Sequence, residues 1–398
     1  MHRRQFLGAL GTAAALPVLP VIARAQSGGA RTRITRLRVV PLKVLREVGQ
    51  VDPSGIVEGF PPRMTVTIGG GSIVEIHTDD DLVGIGPGID ASLVPRLAEI
   101  LEGQDPFDIA IHASRLARFG RGGASVEIAL WDLIGKLAEQ PLYKLWGGGD
   151  GRVIPYSSCF MQGGIAERVA FAERIADEGW KAIKLRTSYP TLGEDIKIVA
   201  DVRAVCGDDF DILTDANKGG LPGPPVTTWD FQRAIDTALA YQEMGVYWLE
   251  EPLDRFDFDG LAELNSRVDI PIAGAENNVG THEFRWMLER HCFDFLNPEV
   301  MLMGPTALRQ IASLASAFNV GVVPHLGDRR LGTICAMHLV ASMPNTPYME
   351  IINDPPIMDY RHNFAIMENP PTLQTDGTMI VPSAPGLGVT IDPDMLEA

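Results

Sequence analysis

From Gly151 onward the chain repeats one texture: a short run of β-branched and apolar residues, a polar residue at its end, and then an amphipathic stretch before the next run. The runs fall at 153–157, 182–185, 211–214, 246–249, 270–273, 293–296, 321–323 and 348–351, with helical spacing at 166–178, 230–243 and 307–318 between them. Strands alternating with helices predict a parallel sheet, and eight of them favour its closure as a (β/α)8 TIM-type barrel, an α/β fold. A doubly wound open sheet is the alternative. It would carry a glycine-rich phosphate turn after an early strand, and no Gly-x-Gly-x-x-Gly leads into a helix here.

A barrel of this kind places its chemistry at the C-terminal ends of its strands, about one residue per βα unit. Lys184, Asp215, Glu250, Glu276, Glu299, His325 and Glu350 follow the runs in that way, separated by 31, 35, 26, 23, 26 and 25 residues. One carboxylate after a strand reads as a helix cap or a solvated rim residue; seven polar residues in succession read as a site. Asp215, Glu250 and Glu276 lie on neighbouring strands, so three carboxylates converge and repel unless a proton or cation intervenes. Oxygen-only ligands select magnesium, calcium or manganese over zinc or copper, and magnesium keeps positions open for water and substrate. A glycosidase barrel also clusters acids, but its chemistry needs one acid and one nucleophile rather than three convergent ligands.

The first 150 residues have a different texture. Residues 72–77 alternate, an acidic turn follows at 78–81, and a second alternating run ends at Gly86, which predicts an antiparallel hairpin. Residues 47–64 are rich in Gly and Pro and are expected to form a mobile loop, with Arg46 and Arg63 at its edges. Between 124 and 137, Val126, Leu130, Leu133 and Leu137 share one helical face.

At the N-terminus, Arg3 and Arg4 precede an uncharged apolar run from about Phe6 to Ile22, broken by Pro17 and Pro20 and ending in Ala23-Arg24-Ala25. Short length and a small-x-small end read as a signal peptide over residues 1–25 rather than a spanning helix. The paired arginines resemble a twin-arginine signal, whose route carries folded proteins and implies a periplasmic address. The charge of −17 would become −20 on cleavage. Such a chain repels nucleic acid and anionic lipid, and needs a local cation to attract an anionic substrate. Cys159, Cys206, Cys292 and Cys335 form no Cys-x-x-Cys pair and read as inert thiols.

Lys184-Leu-Arg186, Thr214-Asp-Ala-Asn217, Trp248-Leu-Glu-Glu-Pro252, Gly274-Ala-Glu-Asn277, Asn297-Pro-Glu299 and Val323-Pro-His325 resemble the barrel motifs of the enolase superfamily, in its mandelate racemase and muconate lactonizing enzyme branch. Residues 128–136 and 385–389 resemble that family's capping domain. The resemblance implies an α+β cap over 26–150, a barrel over 151–365, and a segment, 366–398, returning to the cap. It also implies that Asp215, Glu250 and Glu276 bind Mg2+, that Asn217 neighbours the metal, that His325 is an acid or base, and that Glu350 hydrogen bonds the substrate carboxylate. Lys184 matches the first basic residue of a Lys-x-Lys motif. The shared chemistry is removal of the proton next to a carboxylate, with the metal stabilising the enediolate.

Two positions depart from the family pattern. Arg186 stands where a lysine is expected, and guanidinium is a poor base though a good carboxylate clamp. Glu299 stands for an aspartate that orients His325 and is one methylene longer. With one good base, the expected reaction is dehydration of a hydroxylated sugar acid to a 2-keto acid, the leaving hydroxyl being protonated by His325 or Lys184. An epimerase or cycloisomerase is the alternative, and a non-catalytic periplasmic acid-binding scaffold is a third. Substrate choice falls to the cap, where Arg63 could hold an acid group; Asp328, Arg329 and Arg330 read equally as distal contacts or rim charges. A closed homo-oligomer is expected.

Overall fold

Two antiparallel hairpins and a buried helix make the cap in this computed structural model, which describes residues 32–52, 63–220 and 229–397. The leader at 1–25 and most of the loop at 47–64 lie outside the described residues. Strands β1 (Ile34–Pro41), β4 (Ser72–Thr78) and β5 (Val83–Pro87) pair in the order β1-β4-β5, with the expected acidic turn between the last two. Strands β2 (Val44–Val51) and β3 (Met64–Gly69) form the second hairpin. Residues 47–51 and 64 are therefore strand, not loop. Val51 and Val66 pack on Ile352 and Met358 of the barrel, a contact that stabilises extended backbone despite the nearby Gly and Pro.

The cap helices α1 (Val94–Leu101), α2 (Ile109–Leu116) and α3 (Arg121–Leu137) follow. Helix α3 buries every residue from Gly123 to Gly135. Its expected face, including Val126, Leu130 and Leu133, joins the cap core; Ile128, Trp131 and Ile134 join the barrel core. A helix apolar on two faces is a wedge between two bodies.

Two carboxylates on this wedge act as fasteners. Asp132 accepts from Ile85 N at 2.8 Å and Leu387 N at 2.7 Å, and pairs with Lys136 at 2.6 Å. Glu127 accepts from Thr306 N at 2.7 Å, where Gly304 (φ 73°) and Pro305 kink the helix Val300–Ala317. A Cβ at Gly304 would lie 2.2 Å from the Glu127 carboxylate, so only glycine allows that approach.

All eight expected barrel runs are present. The first breaks at Ile154: β6 (Arg152–Val153) pairs with β15 (Met379–Ile380), while β7 (Pro155–Ser158) enters the barrel. Strands β8 (Ala182–Arg186), β9 (Asp211–Asp215), β10 (Trp248–Glu250), β11 (Ile272–Gly274), β12 (Phe295–Leu296), β13 (Gly321–Val322) and β14 (Met349–Ile352) complete a parallel sheet in the order β13-β12-β11-β10-β9-β8-β7-β14. Among the described residues no ladder joins β13 to β14. Val322 N instead donates to Asn345 O at 3.0 Å, and Leu326 N to the Glu350 carboxylate at 3.2 Å. Tyr156, Leu213, Trp248, Val323 and Tyr348 fill the interior beneath the site. The C-terminal segment reaches the cap, bridging Leu396 to Leu42.

Asp132→Ala strands two buried N–H groups, while Lys136 keeps Val83 O, and should cost about 3 kcal/mol. Urea unfolding measures this; a midpoint equal to that of the wild type would remove Asp132 as a fastener.

Candidate active site

Parallel register brings the polar strand ends abreast. Arg186 lies opposite Asp215 and Asp215 opposite Glu250, while Ser158 lies opposite Lys184. All stand at the C-terminal rim, where a barrel gathers its chemistry.

Lys184 is fully buried, with Nζ 3.0 Å from Glu250, 3.0 Å from Glu350 and 3.5 Å from Asp215. Burial alone would lower its pKa, but the carboxylates of Glu250 and Glu350 hold it well above the usual value. It is a fixed cation. Its three acid partners belong to the chain itself, on β9, β10 and β14. Glu350 is likewise committed: Ser158 Oγ donates at 2.8 Å, Leu326 N at 3.2 Å, and Lys184 pairs with it. Burial would raise its pKa, yet Lys184, His325 and Arg186 lower it to about 2, so it accepts and does not donate.

Asp215, Glu250 and Glu276 each present one oxygen within 4.8 Å of the others. Burial and the neighbouring Asp215 and Glu350 carboxylates raise Glu250 to about 8 against the pull of Lys184. The backbone N of Asn217 donates to Asp215 at 2.8 Å, and its side-chain oxygen accepts from Arg186 at 3.3 Å. Arg186 also bonds Asp215 directly and donates to Cys159 O at 3.1 Å. Its guanidinium thus clamps a carboxylate of the chain itself. Glu276 Oε2 is buried without a hydrogen bond and faces His325 Nε2 at 3.3 Å, which leaves it able to accept a cation.

His325 completes the cluster. Its Nδ1 lies 2.6 Å from Glu299 Oε2, and Nε2 is 3.3 Å from Glu276 and 4.0 Å from Glu350. The longer Glu299 side chain does reach: one oxygen takes the imidazole, and the other accepts from Met301 N at 2.7 Å, capping the following helix. With Nδ1–H donated to Glu299, the neutral ring carries its lone pair on Nε2, a tautomer assigned from this bonding. Burial would lower its pKa, but Glu276, Glu350 and Glu299 push it up to about 10.

Arg63 stands apart, exposed at the start of β3, and is not part of the cluster. Two members have no assignment from sequence. Ser158 falls one residue beyond the expected first run. Glu251, the second acid of the Glu-Glu-Pro piece, is buried with one carboxylate oxygen unbonded, its pKa raised by burial and by Glu276, Asp215 and Glu250.

Residues 167–395 match the enolase C-terminal domain-like family, and residues 63–147 match the mandelate racemase / muconate lactonizing enzyme N-terminal domain. The chain is 30% identical over 354 residues to the 3,6-anhydro-alpha-L-galactonate cycloisomerase of Streptomyces coelicolor, covering 86% of this chain and 88% of the relative. It is 28% identical over 297 residues to the arabinonate dehydratase of Saccharolobus solfataricus, covering 70% and 74%. A crystal structure of L-talarate dehydratase from a Polaromonas species, complexed with Mg and L-glucarate, superposes with a TM-score of 0.73 at 26% identity, covering 92% of this chain and 98% of that one.

Without a cation, His325 gains from its acid neighbours only while protonated. Its folded pKa exceeds the ordinary 6.5, so this stabilisation is complete below pH 6.5 and is lost as pH rises through about 10. In chelator, urea midpoints between pH 6 and 10.5 should fall more steeply for the wild type than for His325→Asn. Parallel profiles would show an uncharged imidazole.

Proposed function

We propose that this chain, which belongs to the mandelate racemase / muconate lactonizing enzyme family of the enolase superfamily, removes the proton α to the carboxylate of a hydroxylated sugar acid and eliminates water to leave a 2-keto acid. The observation that carries this reading is the single His325–Glu299 dyad beside the three-carboxylate set.

Asp215, Glu250 and Glu276 fit Mg2+: their donors are all oxygen, and Glu276 Oε2 is unbonded. When bound, the ion neutralises charge that builds on the substrate carboxylate as the neighbouring C–H ionises. Arg186 and Asn217 hold Asp215 in place. A divalent cation held by Glu276 would offset one of the charges that keep His325 protonated, and the neutral ring would then take the α proton on Nε2, with Glu299 stabilising the imidazolium that forms. The C–H electron pair becomes the C=C bond as the β C–O bond breaks with its own pair. His325 returns its proton to the departing hydroxyl, which leaves as water, and the enol tautomerises to the keto acid.

Racemisation by two opposed bases needs a second partner, and Arg186 and Lys184 are both held by carboxylates. Cycloisomerisation uses the same lone base with an internal leaving group, and the 30% identical cycloisomerase favours it as the second reading. The acidic charge of −17 disfavours nucleic acid as a partner. A closed homo-oligomer is the assembly that symmetry favours.

Magnesium-loaded protein offered a sugar-acid library in deuterated water should release a keto acid. Recovered substrate that is only exchanged or epimerised would overturn the elimination, and tight binding without exchange would favour a non-catalytic scaffold. His325→Asn should lower kcat by about 1000-fold with magnesium affinity retained; unchanged turnover would remove His325 as the base.

Residues 1–25 are proposed to direct export by the twin-arginine route to the periplasm, on the strength of the Arg3-Arg4 pair and the short apolar run. Changing both arginines to lysine should retain the protein in the cytoplasm. An unaltered periplasmic yield would sink the proposal.

A further inference from the structure

Neighbouring residues on an extended chain point to opposite faces, so the side chains of Glu276 and Asn277 would not ordinarily meet. Here the backbone turns to bring them together. The chain leaves β11 through Ala275, whose φ of 83° is left-handed at a residue other than glycine, and Asn278 N donates to Ala275 O at 3.3 Å to close a turn. Asn278 is fully buried and pins that turn: its amide donates to Glu283 Oε2 at 2.8 Å, and Val279 N donates to the same oxygen at 3.3 Å. Asn277 Nδ2 then donates to Glu276 Oε1 at 3.0 Å. The amide nitrogen is assigned to that side because an ionised carboxylate only accepts.

That bond completes a pattern across the three carboxylates. Asp215 Oδ1 accepts from Asn217 N at 2.8 Å, and Oδ2 accepts from Arg186. Glu250 presents both oxygens to Lys184, at 3.2 Å and 3.0 Å. Glu276 has Oε1 held by Asn277 and Oε2 without a hydrogen bond. No member of the set has both oxygens free, and this bears on which ion fits. Ca2+ takes about six to eight oxygens and commonly grips a carboxylate by both, whereas Mg2+ takes an octahedral set and fills it with water. Carboxylates that each offer a single oxygen suit the smaller ion. Asp215 and Glu250 are held by the cations of Arg186 and Lys184, but Glu276 Oε1 is held by a neutral amide, which can be removed without changing the charge of the site.

We propose that Asn277 is a positioning residue that denies Glu276 a two-oxygen grip and so makes this site discriminate Mg2+ from Ca2+. The inference rests on the reading of Asp215, Glu250 and Glu276 as the Mg2+ ligands. Without the amide, the Glu276 carboxyl turns more freely and Oε1 becomes available, a ligand that the larger ion can use and the octahedral one cannot.

Calorimetry of the chelator-stripped protein, titrated with magnesium chloride alone and with calcium chloride alone, tests this without any turnover. The wild type should bind Mg2+ more tightly than Ca2+. In Asn277→Ala that preference should shrink by about 10-fold, with Mg2+ weakened and Ca2+ unchanged or tighter. Asn277→Gln keeps the donor and should retain part of the preference. A wild type that holds both ions equally, a ratio unchanged in Asn277→Ala, or two affinities that fall in parallel would overturn the inference, the last because it marks a turn that is merely structural. Should the alanine variant not fold, Asn277→Leu, similar in shape and without a donor, carries the comparison, and an unchanged ratio there overturns the inference. A wild type that binds neither ion refutes the metal reading, and the inference falls with it. A shifted ratio in a protein that releases no keto acid upholds the role of Asn277 and removes only the elimination.

Discussion

The ammonium of Lys184 is what allows carboxylates from separate strands to share one small volume. It touches acids on β9, β10 and β14 and is fully buried. Carboxylates brought together by parallel register repel, and desolvation magnifies that repulsion. A lysine one strand over from Asp215 and two residues below it in register cancels part of it from within the barrel. Arg186 adds a second fixed cation against Asp215. Glu276, at the far end of the row, is left with the least compensation, and its unbonded oxygen faces His325. The geometry therefore confines the uncancelled negative charge to the side of the site where the base stands.

What was legible in the sequence was what repeats locally. Strand ends recur at the length of a βα unit, so Asp215, Glu250, Glu276, Glu299, His325 and Glu350 could be aligned on one rim before any contact was known. Commitments between side chains were not legible, because they depend on which strand lies beside which and at what height. Nothing local says that Arg186 turns to Asp215 and Cys159 O, that Glu350 is consumed by Ser158 and Lys184, or that Glu299 divides its oxygens between a histidine and a helix end. The hairpin β2–β3 escaped for a related reason. Its Gly-rich sequence weakens strand propensity, and the apolar contact that restores it comes from residues near 352 and 358. Arg329 and Arg330 are adjacent and chemically identical in sequence, yet Arg330 is a staple to Gly69 O and Gly70 O, whereas Arg329 bonds the Met358 sulfur.

The cap and barrel are joined through polar groups rather than apolar area alone. Glu127 reaches a helix kink in the barrel, Asp132 ties a cap strand to the C-terminal segment, and Arg330 reaches back to the turn between β3 and β4. Each is a directional contact with partners fixed in position. Burial of apolar surface tolerates sliding, whereas a carboxylate on a backbone N–H does not. At these points the spacing of cap and barrel is thus set by bond length.

The missing ladder between β13 and β14 has a mechanical meaning. Seven of the junctions around the barrel are zipped by main-chain hydrogen bonds that any sequence would make. The eighth is held at the rim by a side chain, Glu350, whose other oxygen belongs to the charge cluster. Main-chain junctions are indifferent to what binds, but this one is not. The loop carrying His325 is held by the same carboxylate that pairs with Lys184, so the position of the base depends on a member of the charge cluster.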